Sequence, residues 1–405
     1  MSMLADLAGM YRDFHAGRIR PAEFWHLARQ QPPVFIEAPL NAWIVSRHDD
    51  VKRVLSEETT FKHLIGGPGS SIFRDTLLDL EGEKHRQRLG LVGPPLKSRG
   101  SLEGHVRGVV DTHAHRIMTD LRSRRTFDVA RELNEPVPLL VITEMLDVPA
   151  ASEFRGWYQA IASAGSGNVT GDPVLLEAGH RALAELYGFL DPIIRARRST
   201  PAGDLLSKLV TAEFDGATLS DEEIKSFTAL ILVGGVETSA RSLTNLQRQL
   251  LRRPDLFDYV ADDHDRITSA AAESLRHSPP VTGLSRWAPE GAELGGVTIR
   301  PGDRLYASIY SANRDETHFD RPDEFVIDRF AADATRQFSQ KADHLAFGSG
   351  RHFCTGSLLA RLEIELVMGA LLDEITGASI LDDASGDEGE RLGSDNSLVI
   401  QPAWR

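Results

Sequence analysis

The chain contains a single cysteine, Cys354, among 405 residues. No internal disulfide can form, and one thiol cannot build a cysteine-based four-ligand zinc site. Nowhere does a run of about 18 apolar residues occur, so the sequence offers no membrane-spanning helix. The opening MSMLADLAGMYRDFH lacks both the basic n-region and the apolar h-region of a secretion signal. These absences point to a cytoplasmic protein without a membrane anchor. Positive charge is also short: 45 Lys and Arg stand against 59 Asp and Glu, a net charge of −14, which argues against nucleic-acid binding. No internal repeat is present, and the acid-rich segment Leu381–Asp395 reads as a solvated loop. What remains is a chain with an ordinary 41% hydrophobic fraction, long enough for a large core and, by length alone, for two or three domains.

Against this background one stretch is dense with chemistry: Phe347-Gly-Ser-Gly-Arg-His-Phe-Cys354-Thr-Gly356. It runs into Ser357–Ile375, where Leu359, Leu362, Leu366 and Ala370 recur at helical spacing. On residue type alone, a lone cysteine is most often a small buried hydrophobe. Here it precedes a helix by one or two residues, and the helix dipole with its free N–H groups favours a thiolate over a thiol. Gly348, Gly350 and Gly356 let the backbone turn sharply and leave room for something flat against the loop. A thiolate so presented suits a nucleophile or a single axial bond to a metal.

A second informative stretch is Ser220–Arg253. Ser220 and Glu223 form a capping box, Asp221 and Glu222 complement the first turn, and Pro254 ends the pattern. The helix so bounded has about 33 residues and spans roughly 50 Å. Its middle reads Leu230-Ile-Leu-Val-Gly234-Gly235-Val-Glu237-Thr238-Ser239. Each mid-helix glycine costs about 1 kcal/mol relative to alanine. Close approach of a ligand, or of another helix, would compensate. Glu237 and Thr238 then place an acid and a hydroxyl in apolar surroundings, where they can pass protons or merely form a salt-bridged helix face.

The remaining chain predicts one or two helices over 1–32 around Pro21, then helices over 49–56, Leu102–Leu121, Pro136–Leu146, Ala151–Ala162, Leu175–Arg198 and Asp265–His277. A helix opening at Glu83 is interrupted or ended by Pro94 and Pro95. Pro33–Ile36 and Ala42–Ser46 suggest a hairpin, with further β pieces at Arg286–Ala288, Gly296–Ile299 and Arg304–Ser308. Phe61–Ser71, FKHLIGGPGSS, is too rich in Gly and Pro for regular structure. Glu273 and Arg276 share a helix face at i, i+3, by itself a common surface pair. Lys84–Arg125 reverses the overall charge, with ten bases against Glu103, Asp111 and Asp120.

Taken together, FGxGxHxCxG followed by a helix beginning xxLAR resembles the haem-binding loop of the cytochrome P-450 family, the haem-thiolate monooxygenases. GGxETS at Gly234–Ser239 is similar to the family's oxygen-binding helix, and Glu273-Ser-Leu-Arg276 to its ExxR pair. Ser311–Asp315 and Arg321–Arg329 match further landmarks, so the resemblance covers nearly the whole chain. Thr355 is a departure, since the family often has an aliphatic residue after the cysteine.

The resemblance implies a mainly α, triangular prism fold with a small β region, one domain over 1–405. It implies haem b with Cys354 as the proximal iron ligand, and Phe347, Gly348 and Gly356 in the loop that receives it. Gly234 and Gly235 would leave room for O2 on the opposite face, with Glu237 and Thr238 managing protons there. Arg286 and His352 occupy family positions that face the haem propionates. His85 and Arg88 are offered for the same task, although the residue four after His85, commonly Arg in the family, is Leu89. Glu273 and Arg276 would clasp the chain beneath the loop. The substrate pocket would be walled by the 61–73 loop, the 151–190 helices, Thr228–Gly234, Val281–Leu284 and the tail near Asn396. No flavin module fits in the length, so electrons would come from a separate ferredoxin and its NAD(P)H-dependent reductase. The implied activity is insertion of one oxygen atom from O2 into a C–H bond of a small lipophilic or natural-product molecule. Alternatives are non-hydroxylating oxidation (coupling, desaturation or peroxide-driven chemistry) and a haem-based sensor, for which no effector domain is visible.

Overall fold

The helix Asp221–Leu251 crosses the middle of the molecule and sets the positions of most other elements. Its capping box is formed: Glu223 N–H donates to Ser220 Oγ while the Glu223 carboxylate accepts from Ser220 N–H. Every residue from Ser239 to Leu251 is buried, as expected of a helix wrapped on all sides. The polar ones carry partners, as burial demands: Asn245 donates to the Ser278 carbonyl at 2.8 Å and Arg248 reaches Asp383 at 2.9 Å. Around it pack the helices Pro136–Leu146, Phe154–Ala164, Pro173–Ser199, Ile267–His277 and Ser357–Glu374. The structure is a computed structural model that describes residues 2–37, 40–63, 72, 76–78, 80–165, 168, 170–214, 216–384 and 395–405.

Beside the helical body lies a five-stranded sheet in the order Val34–Ile36, Ala42–Val45, Arg304–Ala307, Leu284–Trp287, Lys62–His63. The first two strands form the expected hairpin, and Ala42–Val45 runs parallel to Arg304–Ala307. The edge strand Lys62–His63 sets His63 opposite Arg286, a register that shapes the site below. A separate hydrophobic cluster, including Val51, Val54, Leu55, Phe61, Leu305 and Leu345, joins this sheet to the helix His48–Ser56. A second sheet, Ile375–Asp383 with Leu398–Trp404 and Phe127–Asp128, closes the far side of the central helix.

Several expectations are corrected. Pro94 and Pro95 neither stop nor break their helix, which runs from Gly82 to Lys97. Both lie in its final turn, so the missing N–H groups fall where little helix follows. The segment from Leu381 is not loop at its start: the strand Ile375–Asp383 continues through it. Asp383 is drawn inside by Arg248 and Arg252, at 2.9 and 2.7 Å, which removes the electrostatic reason for solvation. The rest of that acidic segment, 385–394, lies outside the described residues, as does 64–71 of the FKHLIGGPGSS loop. The helix Leu205–Thr211 and the strands after residue 374 carry no strong sequence signal and were not expected.

Candidate active site

The Phe347–Gly356 loop is built by its own backbone and braced from below. Gly348 N–H donates to the Leu345 carbonyl at 2.9 Å, and Cys354 N–H to the Phe347 carbonyl at 2.9 Å. Gly350 has φ +73°, and a Cβ there would lie 2.7 Å from Ser56 Cα at the end of the His48–Ser56 helix. Only glycine meets both conditions. The brace is the ExxR pair, which is buried rather than superficial. Glu273 and Arg276 are fully inaccessible and meet in two parallel bonds of 2.8 Å. The Arg276 guanidinium also donates to the carbonyls of Asn313, Pro322 and Glu324, and Glu273 accepts from Val326 N–H and Arg329. Asn313 carries the connection onward, its side-chain oxygen accepting Leu345 N–H at 2.7 Å. Each guanidinium nitrogen of Arg276 has an acceptor, which is what makes a buried ion pair tolerable.

Cys354 leads into the helix Ser357–Glu374, with Gly356 as the N-cap residue. Its side chain is exposed although protein surrounds it on all sides, the mark of a group lining an interior space. Burial pushes the Cys354 thiol up, against the smaller pull of the Gly356 N–H. Desolvation thus opposes the helix end, and a cation at the sulfur would favour the thiolate.

Two residues from the cysteine, His352 heads a cluster of imidazoles. Its ring lies 4.5 Å from that of His63 and 5.0 Å from that of His85, edge to face in both cases. Burial lowers the pKa of all three, to about 4 for His352, and mutual repulsion with Arg286 and Arg351 adds to it. Arg286 is buried beside them, and desolvation alone brings its guanidinium down to about 10. Among the described residues no carboxylate pairs with Arg286. Glu58 serves Arg351 and stands 3.4 Å from His352. A buried guanidinium among imidazoles, with a single acid at the rim, is a receptacle for an anionic group.

Arg88 places Nη2 3.2 Å from Glu223 and its guanidinium 4.1 Å over the Phe214 ring, while its buried Nη1 has no hydrogen-bond partner among the described residues. His63, which the sequence did not single out, stands in the imidazole cluster. Nothing in its sequence neighbourhood marked it, because its place depends on strand pairing with Arg286 rather than on local spacing.

On the central helix the two glycines have different surroundings. A Cβ on Gly235 would lie 3.0 Å from Ile142 Cδ1, so this glycine admits the Pro136–Leu146 helix. Gly234 faces open space and is exposed in mid-helix. One turn further, Thr238 Oγ donates to the Gly234 carbonyl at 2.6 Å. Glu237 is buried and reaches Arg241 at 3.2 Å. Next to Thr238, Ser239 is the hydroxyl that acts on Glu363 of the Ser357–Glu374 helix. Burial pushes the Glu363 carboxyl up to about 8, and Ser239 only partly opposes this.

A glycine-rich cysteine loop, an acid-poor donor cluster near it and a long helix opened at one glycine are the features a haem-thiolate protein would need. The sequence pattern described as Cytochrome P-450 matches residues 173–376. A putative cytochrome P-450 of Bacillus subtilis, YjiB, is 30% identical, covering 87% of this chain and 86% of that protein. The erythromycin C-12 hydroxylase of Saccharopolyspora erythraea is 31% identical over 85% and 84%. A crystal structure of a Bacillus megaterium cytochrome P-450 in complex with testosterone superposes with a TM-score of 0.83 at 25% identity, covering 95% of this chain and 98% of that one. The chain belongs to the cytochrome P-450 family, and is an oxidoreductase of its monooxygenase class. Haem is the family's cofactor, and the residues present fit it: Cys354 offers the sulfur, and Arg286 with the imidazoles offers donors to carboxylates.

Proposed function

We propose that this protein is a haem b monooxygenase that inserts one atom of O2 into a C–H bond of a small lipophilic natural product. Cys354 holds the iron, on a loop where Phe347, Gly348 and Gly356 leave room for the macrocycle. Arg286, His352, His85 and His63 receive the propionates. When bound, the haem supplies activation of O2 and oxidation of an adjacent C–H bond, and the thiolate promotes cleavage of the O–O bond. The chain's own residues govern place and protons. Gly234 keeps the central helix from crowding the oxygen side. Thr238, tied to the Gly234 carbonyl, presents its remaining lone pairs to a donor and can pass on its proton once that bond is exchanged. Glu237 supplies protons from solvent by leaving Arg241, a short swing for a buried carboxylate. Electrons come from a separate ferredoxin and its NAD(P)H-dependent reductase. The protein works in the cytoplasm as one domain over 1–405.

The observation that carries this reading is the exposed Cys354 two residues from His352, whose imidazole cluster holds a buried Arg286 that pairs with no carboxylate among the described residues. Two relatives support a lipophilic substrate class: one is named for hydroxylating erythromycin, and another is seen with testosterone. The test is turnover with ferredoxin, reductase and NADPH under isotopically labelled dioxygen, using lipophilic polycyclic or macrolide compounds that perturb the haem spectrum. One labelled oxygen atom in the product is expected. An oxidised product without label would establish coupling or desaturation instead.

A further inference from the structure

At the start of the helix His48–Ser56, two histidines and a carboxylate converge outside the site described above. The ring of His48 is buried and stacks on exposed His318, with centroids 3.6 Å apart and planes 12° from parallel. The ligand atoms of His48, Asp49 and His318 all lie within 4.8 Å of one another. His48 Nε2 stands 3.0 Å from the Asp343 carbonyl oxygen, and Nδ1 stands 3.4 Å from Asp49 Oδ1.

The hydrogen-bond roles make this arrangement informative. A main-chain carbonyl can only accept, so Nε2 carries the ring proton. Nδ1 is then the ring nitrogen open to a metal, and it stands opposite the Asp49 carboxylate oxygen. A cation between the two atoms would be bound by both. The Asp343 carbonyl plays the part that orients a metal-binding imidazole and fixes its tautomer. Asp343 is itself fixed, its side chain accepting from Arg336 and Gln337 at 2.6 and 2.9 Å and its N–H donating to the Gln337 side chain. Asp50 and Asp315 add negative charge nearby, which offsets the positive end of the helix.

We propose that His48 Nδ1, Asp49 and one ring nitrogen of His318 bind a divalent transition-metal ion of the zinc type. Two imidazoles and one carboxylate form a three-ligand set that leaves a position for water. His318 is exposed and turns its ring out of the stack to meet the ion. Such an ion ties the His48–Ser56 helix to the segment after Asp315. It also stiffens the floor of the cysteine loop, which rests on Ser56 through Gly350.

The experiment is calorimetric titration of zinc chloride into the haem-loaded, chelator-treated protein. One ion per chain is expected, with a rise in the thermal midpoint that follows occupancy. Both His318 and Asp49 are exposed, so His318→Ala and Asp49→Ala keep the fold. Each should weaken zinc binding by tenfold or more and abolish the thermal rise. A second His and acid grouping lines the groove of Asp111, His115, His264, Asp265, Glu365 and Asp373. The double variant His115→Ala, His264→Ala should therefore bind zinc as the unmodified protein does. Absence of a saturable site, unchanged affinity in His318→Ala, or loss of binding in the double variant would each overturn the proposal.

Discussion

Folding takes the Glu363 carboxyl out of water and holds it uncharged near neutrality. In the unfolded chain it titrates near 4.5, and in the folded protein near 8. Between those values the native state binds the extra proton, so the contribution is fully present below about 4.5 and is lost as pH rises through 8. Glu363→Gln keeps the size and neutrality of the protonated acid. Urea midpoints across this range should show the variant gaining on the unmodified protein as pH rises, by on the order of a few kcal/mol at the alkaline end. Parallel curves would mean that Glu363 is ionised in the fold. The donor cluster makes a second contrast at this scale. His63→Ala should speed loss of haem to an acceptor globin, whereas Arg88→Ala, whose partners are Glu223 and Phe214, should leave it unchanged; the reverse order would return Arg88 to the propionates. Cys354 was legible in the sequence because a ten-residue string carried it. His63 was not, since its role is made by pairing with a strand more than two hundred residues away. The sequence also suggests a thiolate from the nearby helix end, and burial works against it.

Among the elements, the central helix was legible almost to its ends, because a capping box and a following proline bound it. Its glycine pair was legible only as a pair. The structure divides the work, with Gly235 set against Ile142 and Gly234 set against open space. Gly234→Ala should therefore stabilise the fold by about 1 kcal/mol through helix propensity. It should also lower turnover on the order of tenfold to a hundredfold by crowding the oxygen side. Gly235→Ala should lose stability instead, since Ile142 must move. Denaturant unfolding together with turnover separates the two, and equal behaviour would remove the distinction. The ExxR pair shows the opposite limit of sequence reading. An acid and a base at i, i+3 look like a surface pair, and only the tertiary fold reveals three backbone carbonyls converging on Arg276. Pro94 and Pro95 were misread for a similar reason, since their effect depends on how little helix follows them.

For the whole molecule, the absence of long apolar runs agrees with the structure, where no helix among the described residues is long and apolar enough to cross a membrane. The basic stretch Lys84–Arg125 is less free than its composition suggests. Arg86, Arg88, Arg107, Arg122 and Arg124 pair with Glu83, Glu223, Glu103, Glu374 and Glu132. Any steering of an acidic electron donor falls to the other cations there, and exposed pairs of this kind contribute little to stability. Interior contacts hold the fold around the cysteine loop, and the proposed chemistry rests on one atom, the Cys354 sulfur. The most direct measurement is the absorption spectrum of the reduced, carbon monoxide-bound protein, recorded for the unmodified chain and for Cys354→Ser. The account predicts the red-shifted Soret band of thiolate ligation in the first and its loss in the second. The same red-shifted band in Cys354→Ser would contradict it.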